Sequence, residues 1–253
     1  MKIIKGISLF FCIILFLVIG IKVKSNIKLV NDINKIKKEP IYKIDTEKKE
    51  VFLTFDINWA EKDNTYKILE ILEKHDVKAT FFIMGKWIKY PDGNLPKLKA
   101  IVEKGHDIGN HSYVHPDFTQ ISKERMEKEI KDTENILKES VNVDTKLFRF
   151  PSGAFSKEAV EKVYNLGYIP VGWDVDSKDW LNEGAEKEYK NVKSKITNGS
   201  IILYHNNGKF TTKSMSRVID TLKNENYKFV TIDELLIKEN YYVDNEGRQK
   251  IIY

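Results

Sequence analysis

Short apolar runs and amphipathic segments alternate along the chain from Glu50 onward. The apolar runs are rich in aromatic and β-branched residues and are bounded by turn residues, which is typical of β-strands. They predict strands over residues 51–55, 79–83, 147–150, 168–173, 200–204 and 228–232. The segments between them have apolar positions spaced near 3.6, which predicts helices over 65–74, 95–104, 123–138, 157–166, 185–197 and 213–224.

Repetition of a strand followed by a helix predicts an α/β domain with parallel strands and right-handed crossovers. At 253 residues the chain is long enough for one sizeable domain. The pattern leaves two architectures open, because such a sheet either closes into a barrel or stays open as a doubly wound layer.

The N-terminus carries an uncharged apolar run from Gly6 to Ile21 with lysines on both sides. With its apolar neighbours the run covers residues 3–23, which reaches the ~20 residues that span a bilayer. Since no small-residue cleavage site follows it, residues 1–24 are predicted to be an uncleaved, single-pass membrane anchor with the domain outside the membrane. Secretion after signal cleavage is the alternative.

Residues 25–49 are polar and Lys-rich, which predicts a stalk between the anchor and a domain over 50–238, and residues 239–253 are left as a C-terminal tail. Residues 1–50 hold eleven Lys and five acidic residues, a charge of +6, whereas the remainder carries −1 of the total +5. The folded part therefore does not have the basic surface of a nucleic-acid-binding protein. The only cysteine, Cys12, excludes an internal disulfide and a cysteine-based metal cage.

Polar residues with catalytic potential follow the predicted strands, where the active sites of α/β barrels are built. They are Asp56, His111, His115, Arg149, Asp176, Asp179 and His205. The spacing of His111 and His115 places two imidazoles one helical turn apart, from where both reach one cation. Two surface histidines in a loop are the alternative interpretation.

In its flanking sequence this pair resembles the second motif of the polysaccharide deacetylases, the NodB-homology family also called carbohydrate esterase family four. The resemblance covers roughly residues 50–236 and includes five motifs in the order of the family. They are Thr54-Phe55-Asp56, His111-x-x-x-His115, Arg149-Phe150-Pro151-Ser152-Gly153, Asp176-x-x-Asp179-Trp180 and Leu203-Tyr204-His205.

The resemblance implies a distorted parallel (β/α) barrel of about seven strands and assigns a role to each matching residue. Asp56 matches the general base, His205 the general acid, and Arg149 and Asp179 the partners that hold them. The substrate-binding positions are Pro151, Trp180 and Leu203, and the metal-binding positions are His111 and His115. The metal is expected to be divalent, Zn²⁺ or alternatively Co²⁺, and to activate water and polarise the carbonyl.

Two positions depart from the family pattern. Most members have an aspartate that binds the metal where this chain has Ile57, so the third ligand must be Asn58, Asp56 itself or a water. This form of the first motif resembles a branch associated with spore formers and their cell wall. Ser152 stands where the family often has an aromatic residue, which would change the sugar groove.

The sequence therefore predicts an extracytoplasmic hydrolase that removes N-acetyl groups from an N-acetylated glycan, with peptidoglycan as the favoured substrate. The alternative is a catalytically impaired homologue that binds wall glycan in a structural or morphogenetic role, and hydrolysis of another amide is a third reading. Asp56, Arg149, Asp179 and His205 together favour the enzyme.

Overall fold

The computed structural model describes residues 39–252. The predicted membrane anchor and residues 25–38 of the predicted stalk lie outside the described residues. Between residues 39 and 252, every helix is too short or too polar to cross a bilayer.

All of the predicted strands and helices are present in the predicted order, and among the described residues the structure adds five short strands and two short helices between and around them. The strands are β1 (Lys43–Ile44), β2 (Glu50–Ile57), β3 (Thr80–Ile83), β4 (Asp107–Asn110), β5 (Leu147–Phe148), β6 (Ile169–Pro170), β7 (Val175–Asp176), β8 (Ile201–His205), β9 (Lys228–Phe229), β10 (Tyr241–Val243) and β11 (Arg248–Ile251). The helices are α1 (Thr65–Lys74), α2 (Gly85–Lys89), α3 (Asn94–Glu103), α4 (Lys123–Val141), α5 (Lys157–Asn165), α6 (Ala185–Lys193), α7 (Thr211–Asn224) and α8 (Ile232–Leu235). Short 3₁₀ turns cover Pro151–Gly153 and Asp179–Leu181.

The main sheet is parallel throughout and runs in the order β6-β5-β4-β3-β2-β8-β7, with β9 paired to the start of β2. The seven strands of this path curl into a partly closed barrel, which confirms the α/β class and the parallel sheet. Strand β2 lies at its centre, and its register places Asp56 beside Phe82 of β3 on one side and His205 of β8 on the other.

All eight residues of β2 are buried, because helices cover one face of the sheet and the curled interior covers the other. Alternate residues of the strand pack into the cluster beneath the helices: Val51, Leu53, Phe55 and Ile57. Since successive side chains of a strand point to opposite faces, Thr54 and Asp56 point into the interior. The strand thus delivers one carboxylate to the centre of the curled sheet.

Strands β1, β11 and β10 form a second, small sheet in which β1 pairs with β11. Ile41 pairs with Val171, just after β6, and Ile41 and Ile44 are buried against the interior cluster. The sequence pattern predicts that residues 41–44 belong to a polar stalk and residues 241–251 to a tail. The structure differs at both ends, because these apolar side chains cover the β6 edge of the main sheet.

Candidate active site

Asp56 is buried at the end of β2 and is held by the guanidinium group of Arg149, which is also fully buried. The Nη1 of Arg149 donates to Asp56 Oδ1 (2.9 Å) and to Thr54 Oγ1 (2.8 Å). Its Nε donates to the carbonyl oxygen of Val171 (3.2 Å) and its Nη2 to that of Gly172 (2.9 Å). Arg149 is thus fixed by β2 and by the chain that follows β6, and it aims the Asp56 carboxylate.

The charge state of Asp56 suits a proton acceptor. Burial disfavours the carboxylate, but the nearby His111, Arg149 and His205 favour it and hold the pKa of Asp56 below its usual range. Asp56 is therefore ionised at neutral pH despite being almost completely inaccessible to solvent.

His205 ends β8, directly beside Asp56, and forms a two-point contact with Asp179. Its backbone N–H donates to Asp179 Oδ2 (2.8 Å), and its Nδ1–H donates to Oδ1 (2.7 Å). The Thr211 hydroxyl donates to Oδ2 (2.6 Å) and fixes the carboxylate further. Burial lowers the pKa of His205, but the hydrogen bond and charge of Asp179 outweigh it and raise the pKa above the usual value.

His111 and His115 lie on the loop after β4 rather than on a helix, which corrects the geometry predicted from their spacing. The loop turns sharply because Ser112 and His115 have left-handed backbones, with φ of 61° and 60°. The turn still brings the two imidazoles together, with ring centroids 4.9 Å apart. Glu129 of α4 holds the loop by accepting the backbone N–H groups of Tyr113 and Val114, both at 2.8 Å.

Both histidines have the protonation state that a metal ligand needs, and His111 also has a free ring nitrogen. The Nδ1–H of His111 donates to the carbonyl oxygen of Arg149 (3.0 Å), which leaves Nε2 as the basic nitrogen. This Nε2 is buried, has no hydrogen-bond partner and lies 3.4 Å from Asp56 Oδ2. Burial lowers the pKa of His111 to about 4 and also lowers the pKa of His115, so both rings are neutral at pH 7.

The site lacks a third strong protein ligand for a metal ion beside the two histidines. Across residues 39–252, no three His, Cys, Asp or Glu side chains are arranged to hold a metal ion. Ile57 is fully buried in the cluster beneath the helices. The side-chain oxygen of Asn58 is buried without a hydrogen-bond partner. The backbone of Asn58 is held by the Asn206 side chain, whose Oδ1 accepts the Asn58 N–H and whose Nδ2 donates to the Asn58 carbonyl oxygen, both at 3.0 Å. The site thus fits a divalent cation held by two histidines and weak oxygen donors.

The three predicted substrate-binding residues surround the same centre but differ in exposure. Leu203 is buried on β8, two residues before His205 and on the same face of the strand. Pro151 is buried at the start of the 3₁₀ turn that follows Arg149. Trp180 is 54% exposed at the rim, in the 3₁₀ turn that contains Asp179.

Sequence reasoning missed the residues that position this centre, which are Thr54, Glu129, Asn206 and Thr211. Thr54 had a readable signal, because it lies two residues before Asp56 on the same strand face. Glu129 also had one, since it interrupts the apolar stripe of α4 between Met126 and Ile130. Thr211 and Asn206 had none, because their contacts to Asp179 and Asn58 depend on how distant segments fold back.

Comparisons with known proteins agree with this geometry. Residues 43–171 match the family described as polysaccharide deacetylase. The chain is 32% identical to the peptidoglycan-N-acetylmuramic acid deacetylase PdaA of Bacillus subtilis, over 80% of this chain and 77% of that protein. A crystal structure described as a CE4 family pseudoenzyme from Bacillus anthracis matches with a TM-score of 0.74 and 35% identity, over 81% of this chain and 71% of the other. A mutant of that pseudoenzyme, described as having restored enzymatic activity, matches with a TM-score of 0.74 and 36% identity, over 81% and 74%.

Proposed function

Because the chain belongs to the polysaccharide deacetylases, a family of hydrolases, we propose that it removes N-acetyl groups from a cell-wall glycan of the peptidoglycan type. One observation carries the proposal: a proton acceptor and a proton donor end neighbouring strands at the same register. Arg149 favours the ionised form of Asp56, and Asp179 favours the protonated form of His205. Amide hydrolysis needs this pairing, since water must lose a proton and the amine must gain one.

In the proposed mechanism, Asp56 accepts a proton from the attacking water, and Arg149 holds its carboxylate in place. His205 donates a proton from Nε2 to the departing amine nitrogen, because its Nδ1–H is already bound to Asp179. Leu203 and Trp180 are proposed to enclose the acetyl group. Members of this family generally depend on a divalent metal, which would be held by His111 and His115 and would activate water and stabilise charge on the amide oxygen.

The proposed function includes a location, with the domain outside the cell and anchored to the membrane by the N-terminal segment. A wall glycan lies outside the membrane, and the apolar run from Gly6 to Ile21 with its flanking lysines supports a single-pass anchor. An anchored domain would act on glycan close to the cell surface.

Acetate release tests the proposed activity directly. The purified full chain is stripped with a chelator, supplied with Zn²⁺ or Co²⁺, and incubated with peptidoglycan or with chitooligosaccharides. We expect metal-dependent acetate release from peptidoglycan, because two neutral imidazoles lie beside the Asp56 carboxylate and can hold a divalent cation there. Glycan binding without acetate release under any metal would contradict the proposal.

A second candidate function, glycan binding without catalysis, is supported by a specific observation. The position from which the family provides a metal-binding carboxylate is the apolar Ile57, and two of the similar structures are a pseudoenzyme and its reactivated mutant. A site with two histidine ligands binds metal more weakly than one with a carboxylate in addition. Weak metal binding is the property that separates the two functions.

Ile57→Asp should strengthen metal binding and raise acetate release by roughly 10–100-fold, because a carboxylate is disfavoured in the apolar cluster that holds Ile57 and should turn at the end of β2 toward His111 and His115. Without metal, the buried carboxylate should lower the free energy of unfolding. Zn²⁺ at a concentration 100-fold above its Kd should raise the free energy of unfolding by about 2.7 kcal/mol. The measurement is thermal unfolding with and without Zn²⁺, together with acetate release.

Ile83→Asp is the matched control for this substitution. Ile83 is the register partner of Ile57 on β3, is equally inaccessible to solvent and packs in the same cluster. Its carboxylate should destabilise the fold without any recovery by Zn²⁺. Equal Zn²⁺ effects in the two variants would contradict a metal-binding role for position 57.

A further inference from the structure

A cavity of about 200 Å³ lies next to the active site, on the side of Arg149. Its walls come from three separate segments, which are the 3₁₀ turn after β5, the chain after β6 and the N-terminal segment before β1. Four aromatic residues line it, Tyr42, Phe150, Phe155 and Trp173, together with Ser152. Tyr42 lies just before residues 43–171, which match the family.

The Trp173 side chain is held firmly in this cavity. Its ring packs so closely on Gly153 that a Cβ there would lie 2.8 Å from the ring. The guanidinium group of Arg149 lies over the other part of the ring, 5.5 Å from the centroid. The indole therefore presents a fixed apolar face to the cavity.

The Tyr42 ring is held in a similar way, between two glycines. A Cβ on Gly172 would lie 2.6 Å from the ring, and one on Gly247 would lie 2.8 Å from the Tyr42 side chain. The backbone of Tyr42 is fixed as well, because its N–H donates to the carbonyl oxygen of Gly247 (2.9 Å). An aromatic wall that needs no reordering binds a ligand at lower entropic cost.

Position 152 contributes only a small side chain to the cavity wall. Ser152 is exposed and left-handed, with φ of 55°, at the point where the family often has an aromatic ring. The wall is therefore less aromatic at this point than the family pattern would make it.

The charge of the cavity limits what it can bind. Arg149 is the only charged residue that lines it, and four of its five N–H groups are directed at Thr54, Asp56, Val171 and Gly172. The one remaining N–H is too few for the two-point contact that arginine makes with a carboxylate. The volume lies below the ~300–1,000 Å³ of drug-sized pockets, which suits a single sugar ring.

We propose that this cavity is a subsite for one uncharged N-acetylhexosamine ring of the glycan, with Tyr42 as a specificity-determining residue. It rests on the proposed function in that the glycan is the substrate. The apolar face of the sugar stacks between the fixed rings of Tyr42 and Trp173. N-Acetylglucosamine is accepted, and N-acetylmuramic acid with a free lactyl group is disfavoured because its carboxylate would find no free cation.

Ligand titration of the full chain tests the subsite without using catalysis. N-Acetylglucosamine and N-acetylmuramic acid are titrated separately while the indole N–H resonance of Trp173, assigned with Trp173→Phe, is followed by NMR. We expect N-acetylglucosamine to shift this resonance with a Kd about tenfold lower than that of N-acetylmuramic acid, and Tyr42→Ala to weaken the stronger ligand about tenfold. Tyr42→Phe keeps the ring and should bind as the wild type does.

Tyr227→Ala is the control, because Tyr227 is also half-buried but precedes β9, which pairs with the opposite end of β2. Equal affinities in Tyr42→Ala and Tyr227→Ala, or equal affinities for the two sugars, would overturn the subsite. Acetate release together with no effect of Tyr42 overturns the subsite and keeps the proposed function. If Tyr42→Ala weakens binding but the chain releases no acetate under any condition, the subsite is supported and the proposed deacetylase activity is contradicted.

Discussion

Asp56→Asn should reduce kcat/KM for acetate release by about 10²–10⁴-fold at pH 7. Asparagine has nearly the same shape, and its amide oxygen can still accept the Arg149 N–H. It is neutral, however, and cannot take a proton from water. The measurement is the initial rate of acetate release from peptidoglycan, compared at equal concentrations of folded protein.

Asp220→Asn serves as the control for the loss of one carboxylate. The Asp220 side chain is 60% exposed on α7, and its Oδ1 lies 3.4 Å from His75 Nδ1. This variant should release acetate at the rate of the wild type. If Asp56→Asn stayed within tenfold of the control, Asp56 would not be the general base.

Arg149→Met should lower the free energy of unfolding by about 3–5 kcal/mol, because it leaves a buried carboxylate without its partner. The substitution also removes the hydrogen bonds to Thr54, Val171 and Gly172. Methionine approximates the aliphatic part of arginine, so the loss reports mainly on charge and hydrogen bonding. The measurement is equilibrium unfolding in urea.

Arg217→Met is the matched control, since Arg217 is 52% exposed and is paired with the equally exposed Glu186. An exposed pair of this kind contributes about 0–1 kcal/mol. Similar losses in the two variants would show that the Asp56–Arg149 pair does not stabilise the fold.

The stability difference between wild type and Arg149→Met should also depend on pH. The pKa of Asp56 in the folded wild type is depressed. The ionised Asp56 carboxylate therefore contributes fully to the free energy of unfolding above the ordinary pKa of 3.8, and this contribution is lost as the pH falls through the lower folded-state pKa. Below that pH the carboxyl group is neutral in both proteins, and the difference should narrow. A constant difference over this acid range would contradict the depressed pKa.

Periodicity predicted those elements whose own residues decide their structure. The helix predicted over 65–74 is α1, with Ile68, Leu69 and Leu72 on its buried face. Strand β4 was not predicted, because Asp-Ile-Gly-Asn contains one large apolar residue and pairs only through its contacts with β3 and β5. Short helix α2 was missed for a similar reason, since five residues do not establish a period.

The sequence motifs and the structure can be compared residue by residue at the candidate site. The motifs identified Asp56, Arg149, Asp179 and His205, and hydrogen bonds join them into the pairs Arg149–Asp56 and His205–Asp179. The spacing of His111 and His115 suggested a helix, but a left-handed turn performs the same task. The wall formed by Tyr42 lay outside any sequence argument, because it requires the N-terminal segment to pair with Val171 beyond β6.

The bonding of Arg149 and Asp179 changes which residues indicate activity among relatives of this chain. Arg149 ties β2 to the carbonyl groups after β6, and Asp179 ties a 3₁₀ turn to the backbone of β8 and to Thr211. Selection for a folded domain alone would retain both residues after catalysis had been lost. Asp56 and the residue at position 57 connect fewer segments of the fold than Arg149 and Asp179 do. The identity of these two residues is therefore the better indicator of whether a relative still hydrolyses its glycan.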